Sequence, residues 1–76
     1  MIRAEYCVLP HGPAWAIRHR EKHFPYSSES TAMKAAIDVA YKAGTAGFDA
    51  VVLVQRADGA AEAVWTYGQD SPPSLV

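Results

Sequence analysis

Three histidines of this 76-residue chain could in principle hold a metal ion, since imidazole is a common ligand of transition metals. They are His11, His19 and His23. Two histidines spaced for one metal ion normally share a helix face, whereas these three fall on a predicted hairpin and its turn. We therefore expect structural or solvated histidines, no metal site and no cofactor.

The single cysteine, Cys7, is a second candidate for chemistry. As a nucleophile it would need His11 or His19 as its base. The pattern predicts no helix N-terminus and no third orienting group near Cys7 to activate the thiol. We expect Cys7 to be a small buried hydrophobic residue. A lone cysteine also excludes an internal disulfide and a zinc site built from several cysteines, and it is typical of a reducing cytoplasm.

The one local concentration of positive charge is the segment 18–22, with Arg18, Arg20 and Lys22. Basic side chains near aromatic ones on a strand can contact a nucleic-acid backbone. The alternative is a solvated hairpin whose charges discourage edge pairing. Seven basic and eight acidic residues give a net charge of −1, which excludes a generally basic nucleic-acid binder. Weak nucleic-acid binding through this hairpin is the alternative function.

Signatures of catalysis are missing from the sequence: it has no Gly-rich phosphate loop, nucleophile elbow or paired-carboxylate motif. We therefore expect a binding module and not an enzyme. The second alternative is an enzyme or metal site formed across a dimer interface.

These residues must be positioned by strands, which alternation predicts in four places. Residues 3–9 and 15–20 flank the turn Pro10-His11-Gly12-Pro13 and form a hairpin. The apolar run 50–54 is predicted as a central strand buried on both faces, and Asp58-Gly59 leads into a last strand over 61–67. Residues 23–26 allow a short additional strand, which Pro25 would restrict to a sheet edge.

A helix is predicted between these strands, with Ser28 as its N-cap and Glu29 in its first turn. Its apolar stripe is rich in alanine at three- and four-residue spacing, and Gly44 is predicted as its left-handed C-terminal cap. The sequence therefore predicts an α+β domain over residues 1–70, followed by an extended Pro-containing tail over 71–76. Its sheet has three to four mostly antiparallel strands in the order strand-strand-helix-strand-strand, with one helix on one face.

One helix can cover only one face of such a sheet, and large apolar residues remain on the strands. An exposed apolar surface of this size usually marks an interaction site. We expect a homodimer, formed by packing of open sheet faces or by pairing or exchange of edge strands. The residues predicted to mediate it are Trp15, Ile17, Trp65 and Tyr67.

No apolar run approaches the length needed to span a membrane, and residues 1–5 carry both charges with no hydrophobic stretch. We expect a cytoplasmic protein without an export signal.

Several patterns occur together in one order along nearly the whole chain. They are Val8-Leu9-Pro10-His11-Gly12, Trp15-Ala16-Ile17, the helix alanines Ala32, Ala36 and Ala40, Asp58-Gly59, Tyr67-Gly68-Gln69-Asp70 and Pro72-Pro73. In this order the chain resembles a small bacterial family known as domain of unknown function 2188. The resemblance implies the same strand and helix order and no established activity. The chain departs from the family at Gln55, where a histidine is frequent, and at Ala57 and Ala60, which replace basic residues.

Overall fold

A computed structural model describes residues 2–56 and 58–71, which form five strands and one helix. In chain order the elements are β1 (Arg3–His11), β2 (Ala14–His19), β3 (Lys22–Tyr26), α1 (Glu29–Thr45), β4 (Asp49–Gln55) and β5 (Ala61–Thr66). The α+β class is confirmed. The additional strand that residues 23–26 allowed is present as the edge strand β3.

The five strands form one mixed sheet in the order β3-β2-β1-β4-β5. Helix α1 returns the chain to the end where β1 begins, so β4 runs parallel to β1, with Arg3 beside Asp49 and Val8 beside Val54. The other neighbours are antiparallel. The prediction of three to four mostly antiparallel strands therefore missed one strand and the parallel pair. Strand β4 is an interior strand as predicted, but β1 is the middle one.

Two hairpins follow from their turn residues. Gly12 has φ +60° between His11 and Ala14, as the first position of a type II′ turn requires. The predicted hairpin at Asp58-Gly59 is confirmed, although its loop is longer than two residues. The Arg56 N–H donates to the Ala60 carbonyl at 2.8 Å, and Gly59 takes φ +89° within that loop.

Helix α1 begins as its sequence predicts. The Ser28 Oγ accepts a hydrogen bond from the Thr31 backbone N–H at 3.3 Å, and Glu29 lies in the first turn. The predicted cap at Gly44 is wrong, because the helix continues to Thr45 and Ala46 is its C-cap residue. Gly44 is instead a buried helical position, and the Tyr67 ring occupies the space that a Cβ atom would need.

The core lies between α1 and one face of the sheet. The buried positions of the helix are the small residues Ala32, Ala36, Ala40 and Gly44. They face a sheet layer that includes Tyr6, Val8, Ile17, Val52 and Trp65. The chain after β5 folds back over this layer, and the Trp65 Nε1–H donates to the Ser71 carbonyl at 2.9 Å. Of the predicted tail, residues 72–76 lie outside the described residues.

Candidate functional site

The four residues predicted for self-association lie on the side of the sheet that α1 covers, which we call the covered face. Ile17 and Trp65 are 4% and 6% exposed and belong to the core. Trp15 and Tyr67 are half-buried and pack against it. The prediction that these four residues form an exposed surface is therefore wrong, because one helix and the chain after β5 cover them.

A β-bulge in β5 explains why strict alternation misplaced Trp65 relative to Ala61 and Ala63. Leu53 pairs with Ala63, whereas the residue before it in β4, Val52, pairs with Trp65. Val64 is thus an extra residue, and beyond it the side chains change sides. Ala61 and Ala63 lie on one face and Trp65 on the other, whereas alternation alone predicts all three on the same face.

The opposite side of the sheet, here called the open face, has no helix on it. It consists of the side chains that alternate with the core residues along each strand. Cys7, Ala16 and Val51 are buried between neighbouring side chains, Leu9 and Leu53 are half-buried, and Ala61 and Ala63 are exposed. Alternation in β1 and β2 is visible in the sequence, but it does not show that this face is the uncovered one.

Charged residues of both signs border this apolar centre. Arg3, Arg18 and Arg20 line a shallow depression of about 590 Å³ together with Glu5 and Glu21. The Arg3 Nε lies 2.6 Å from the Glu5 Oε2, and both side chains are largely exposed. Cys7 and Leu53 are apolar residues of the same depression. It is therefore a mixed-charge surface around a small apolar centre.

The thiol of Cys7 is poorly suited to nucleophilic attack. Burial raises its pKa, and the nearby Arg18 only partly offsets this effect. The residue is 5% exposed, as expected of a small hydrophobic side chain. His19, one of its two candidate bases, is instead stacked on the core residue Tyr6, with ring centroids 4.4 Å apart.

The structure divides the basic segment 18–22 between two places. Arg18 and Arg20 lie at the depression of the open face, whereas Lys22 begins the edge strand β3. Arg20 and Glu21 form the turn between β2 and β3, so an acidic side chain accompanies the basic ones. The segment does not form a purely basic stripe.

The three histidines also separate into a pair and a single residue. The rings of His11 and His23 are stacked with their centroids 5.6 Å apart. His19 lies apart from them and its Nδ1 is 3.0 Å from the Glu5 carbonyl oxygen. Within residues 2–56 and 58–71, no group of three or more His, Cys, Asp or Glu residues is arranged to hold a metal ion.

Comparisons with known proteins add no family to this description. No family model matches the chain, and no match was found among curated proteins or solved structures. The resemblance to domain of unknown function 2188 stays a hypothesis that rests on the motifs quoted above. In the described part of the chain, no helix is long and apolar enough to cross a membrane.

Proposed function

We propose that this protein is a small binding module that pairs with a second copy of itself through the open face of its sheet. The observation that carries the proposal is that the fold has only two layers. Its smallest extent is 19 Å, which is the thickness of one sheet and one helix layer. A second open face would supply the third layer and cover the half-buried Leu9 and Leu53.

The charges of the open face support a second copy as the partner. Arg3, Arg18 and Arg20 carry positive charge, and Glu5 and Glu21 carry negative charge on the same surface. In a two-fold dimer a surface meets itself, so a patch with both signs can pair its arginines with the partner's glutamates. A uniformly charged patch would repel its copy.

The size of this face indicates how strong such a dimer is. Five strands of about six residues present a flat area of about 20 by 20 Å, or roughly 400 Å². Stable specific interfaces bury about 800 Å² on each partner. We therefore expect a weak, concentration-dependent dimer with a dissociation constant in the micromolar range or above.

The test is the molar mass in solution, measured by light scattering during size exclusion from micromolar to millimolar concentration. The wild-type chain should move from 8.2 kDa towards twice that mass as the concentration rises. Ala63→Glu, an exposed substitution on the open face, should remain monomeric because dimerisation would bury a new charged side chain in the apolar part of the interface.

Val39→Glu is the matched control, since Val39 is an exposed apolar residue of helix α1 on the other side of the molecule. It should dimerise like the wild type. A wild-type chain that stays monomeric at millimolar concentration would overturn the proposal. So would a dimer that Val39→Glu disrupts and Ala63→Glu leaves intact, because the interface would then lie elsewhere.

The structure also bears on the alternative of nucleic-acid binding. It gathers three arginines on the open face, which favours an anionic partner, but it places Glu5 and Glu21 among them. Phosphate binding by this face would weaken steeply with added salt. A face that pairs with its own copy is the better account of mixed charge.

Binding, and not catalysis, is the role we propose for this surface. The raised pKa keeps the Cys7 thiol protonated at neutral pH, and the depression around it is shallow and open. We place the module in the cytoplasm as part of the same proposal, supported by its single free cysteine.

A further inference from the structure

The pair His11 and His23 is the feature that neither the core nor the proposed dimer explains. His11 is the last residue of β1 and His23 is the second residue of β3, with β2 between these two strands. Their rings are stacked with centroids 5.6 Å apart and an angle of 24° between the planes. Both side chains are exposed, so an ion in solution can reach them.

The separation of the rings fits that of two imidazoles bound to one ion. A metal–nitrogen distance of about 2.0–2.1 Å and a tetrahedral angle place the two ring centroids roughly 5 Å apart. The observed 5.6 Å is close to this value, and exposed side chains can rotate to direct one nitrogen of each ring at the ion.

The chemistry of the two ligands selects the kind of ion. Imidazole suits Zn²⁺, Ni²⁺ and Cu²⁺, whereas Mg²⁺ and Ca²⁺ require oxygen ligands. In the described residues, no third His, Cys, Asp or Glu side chain joins the two histidines in a metal-binding group. Water would therefore complete the coordination of the ion. The site would therefore be open and its ion exchangeable.

We propose that His11 and His23 together form a two-imidazole binding site for a late first-row divalent transition-metal ion. Each chain supplies both ligands, so a single chain can form the site, although strand register places both histidines on the open face that the proposed dimer would cover. Affinity should rise from Zn²⁺ to Cu²⁺, in the general order for nitrogen ligands.

Calorimetric titration of the untagged protein with Zn²⁺ and with Ni²⁺ tests this proposal. The wild-type chain should bind one ion, and either His11→Gln or His23→Gln should lower the affinity by at least about tenfold, because chelation by two ligands is lost. His19→Gln is the control for a histidine outside the pair, and Cys7→Ala is the control for the thiol. Both should bind within about twofold of the wild type.

Folding of each variant is checked by circular dichroism, and the His ring signals in NMR report the ligands directly. Zinc should perturb the ring signals of His11 and His23 and leave those of His19 unchanged. The absence of binding by the wild type, or equal binding by His11→Gln, His23→Gln and the wild type, would overturn the site. Loss of binding in Cys7→Ala would also overturn it, because it would show that the thiol binds the ion.

Discussion

Gly44 and Tyr67 meet where the last turn of α1 passes the chain that leaves β5. A Cβ atom on Gly44 would overlap the Cγ and Cδ1 atoms of the Tyr67 ring. Cγ lies only two bonds from the Tyr67 backbone, so the ring can move away only if its χ1 rotamer changes or its backbone shifts. Gly44 is therefore needed for close approach, although its sequence position resembled a helix cap.

Gly44→Ala should lower the free energy of unfolding by about 1–2 kcal/mol, because overpacking outweighs the better helix propensity of alanine. Urea denaturation followed by circular dichroism measures the change. In a Tyr67→Ala background the same substitution should be neutral or stabilising by up to about 1 kcal/mol. Equal losses in both backgrounds would show that the ring is not the cause.

Cys7 makes the fold less stable as the pH becomes alkaline. Burial raises the pKa of the folded thiol, so the folded chain retains a proton that the unfolded chain releases. Its contribution is complete below the unfolded-state pKa and is lost as the pH rises through the folded-state value. Wild type should therefore lose more stability than Cys7→Ala between neutral pH and about pH 10.

Melting temperatures of both proteins, measured across this range, give the comparison. The two proteins share every other side chain, so only the difference between the two curves belongs to Cys7. Parallel curves would contradict the prediction.

At the scale of elements, the turn between β2 and β3 is the segment whose residues fit their conformation least well. Arg20 and Glu21 have φ values of +51° and +69°, and His19 pairs with Lys22 across them. These angles are those of a type I′ turn, for which Asn-Gly is the preferred pair. A side chain with a Cβ in this region is disfavoured.

Replacing the pair by Arg20→Asn and Glu21→Gly should raise the free energy of unfolding by about 1 kcal/mol, since the turn is kept and its strain is relieved. The matched control is Arg20→Gln with Glu21→Gln, which removes the same charges without relieving the backbone. Thermal and urea denaturation should show stabilisation in the first variant only. An equal gain in stability in the control would show that removal of the two charges, and not relief of backbone strain, is the cause.

At the scale of the whole molecule, the fold is one sheet with a helix on one side, and its open face remains for a partner. The residues expected to mediate self-association differ between sequence and structure. Trp65 and Ile17 are core residues, and the uncovered surface contains Leu53, Ala61 and Ala63. One helix does cover one face of the sheet, but local patterns do not show which face.

Much of the fold was predictable because local patterns carry it. The Ser28 cap, the alanine stripe, the first hairpin and the Asp58-Gly59 hairpin depend on residues close together in the chain. The parallel pairing of β1 with β4 was not predictable, since it joins strands more than forty positions apart, Arg3 beside Asp49. The histidine pair was missed because its two residues, though only twelve positions apart, meet across an intervening strand.

The amino-acid sequence by itself determined the α+β class, the start of the helix and the two predicted hairpins, because propensity and periodicity act over a few residues. Only the tertiary structure decided which side chains are covered. The bulge at Val64 reverses the alternation of β5, and a one-residue change of register moves every later side chain to the other face. The open face, and any partner it binds, therefore depends on strand pairing that no local pattern encodes.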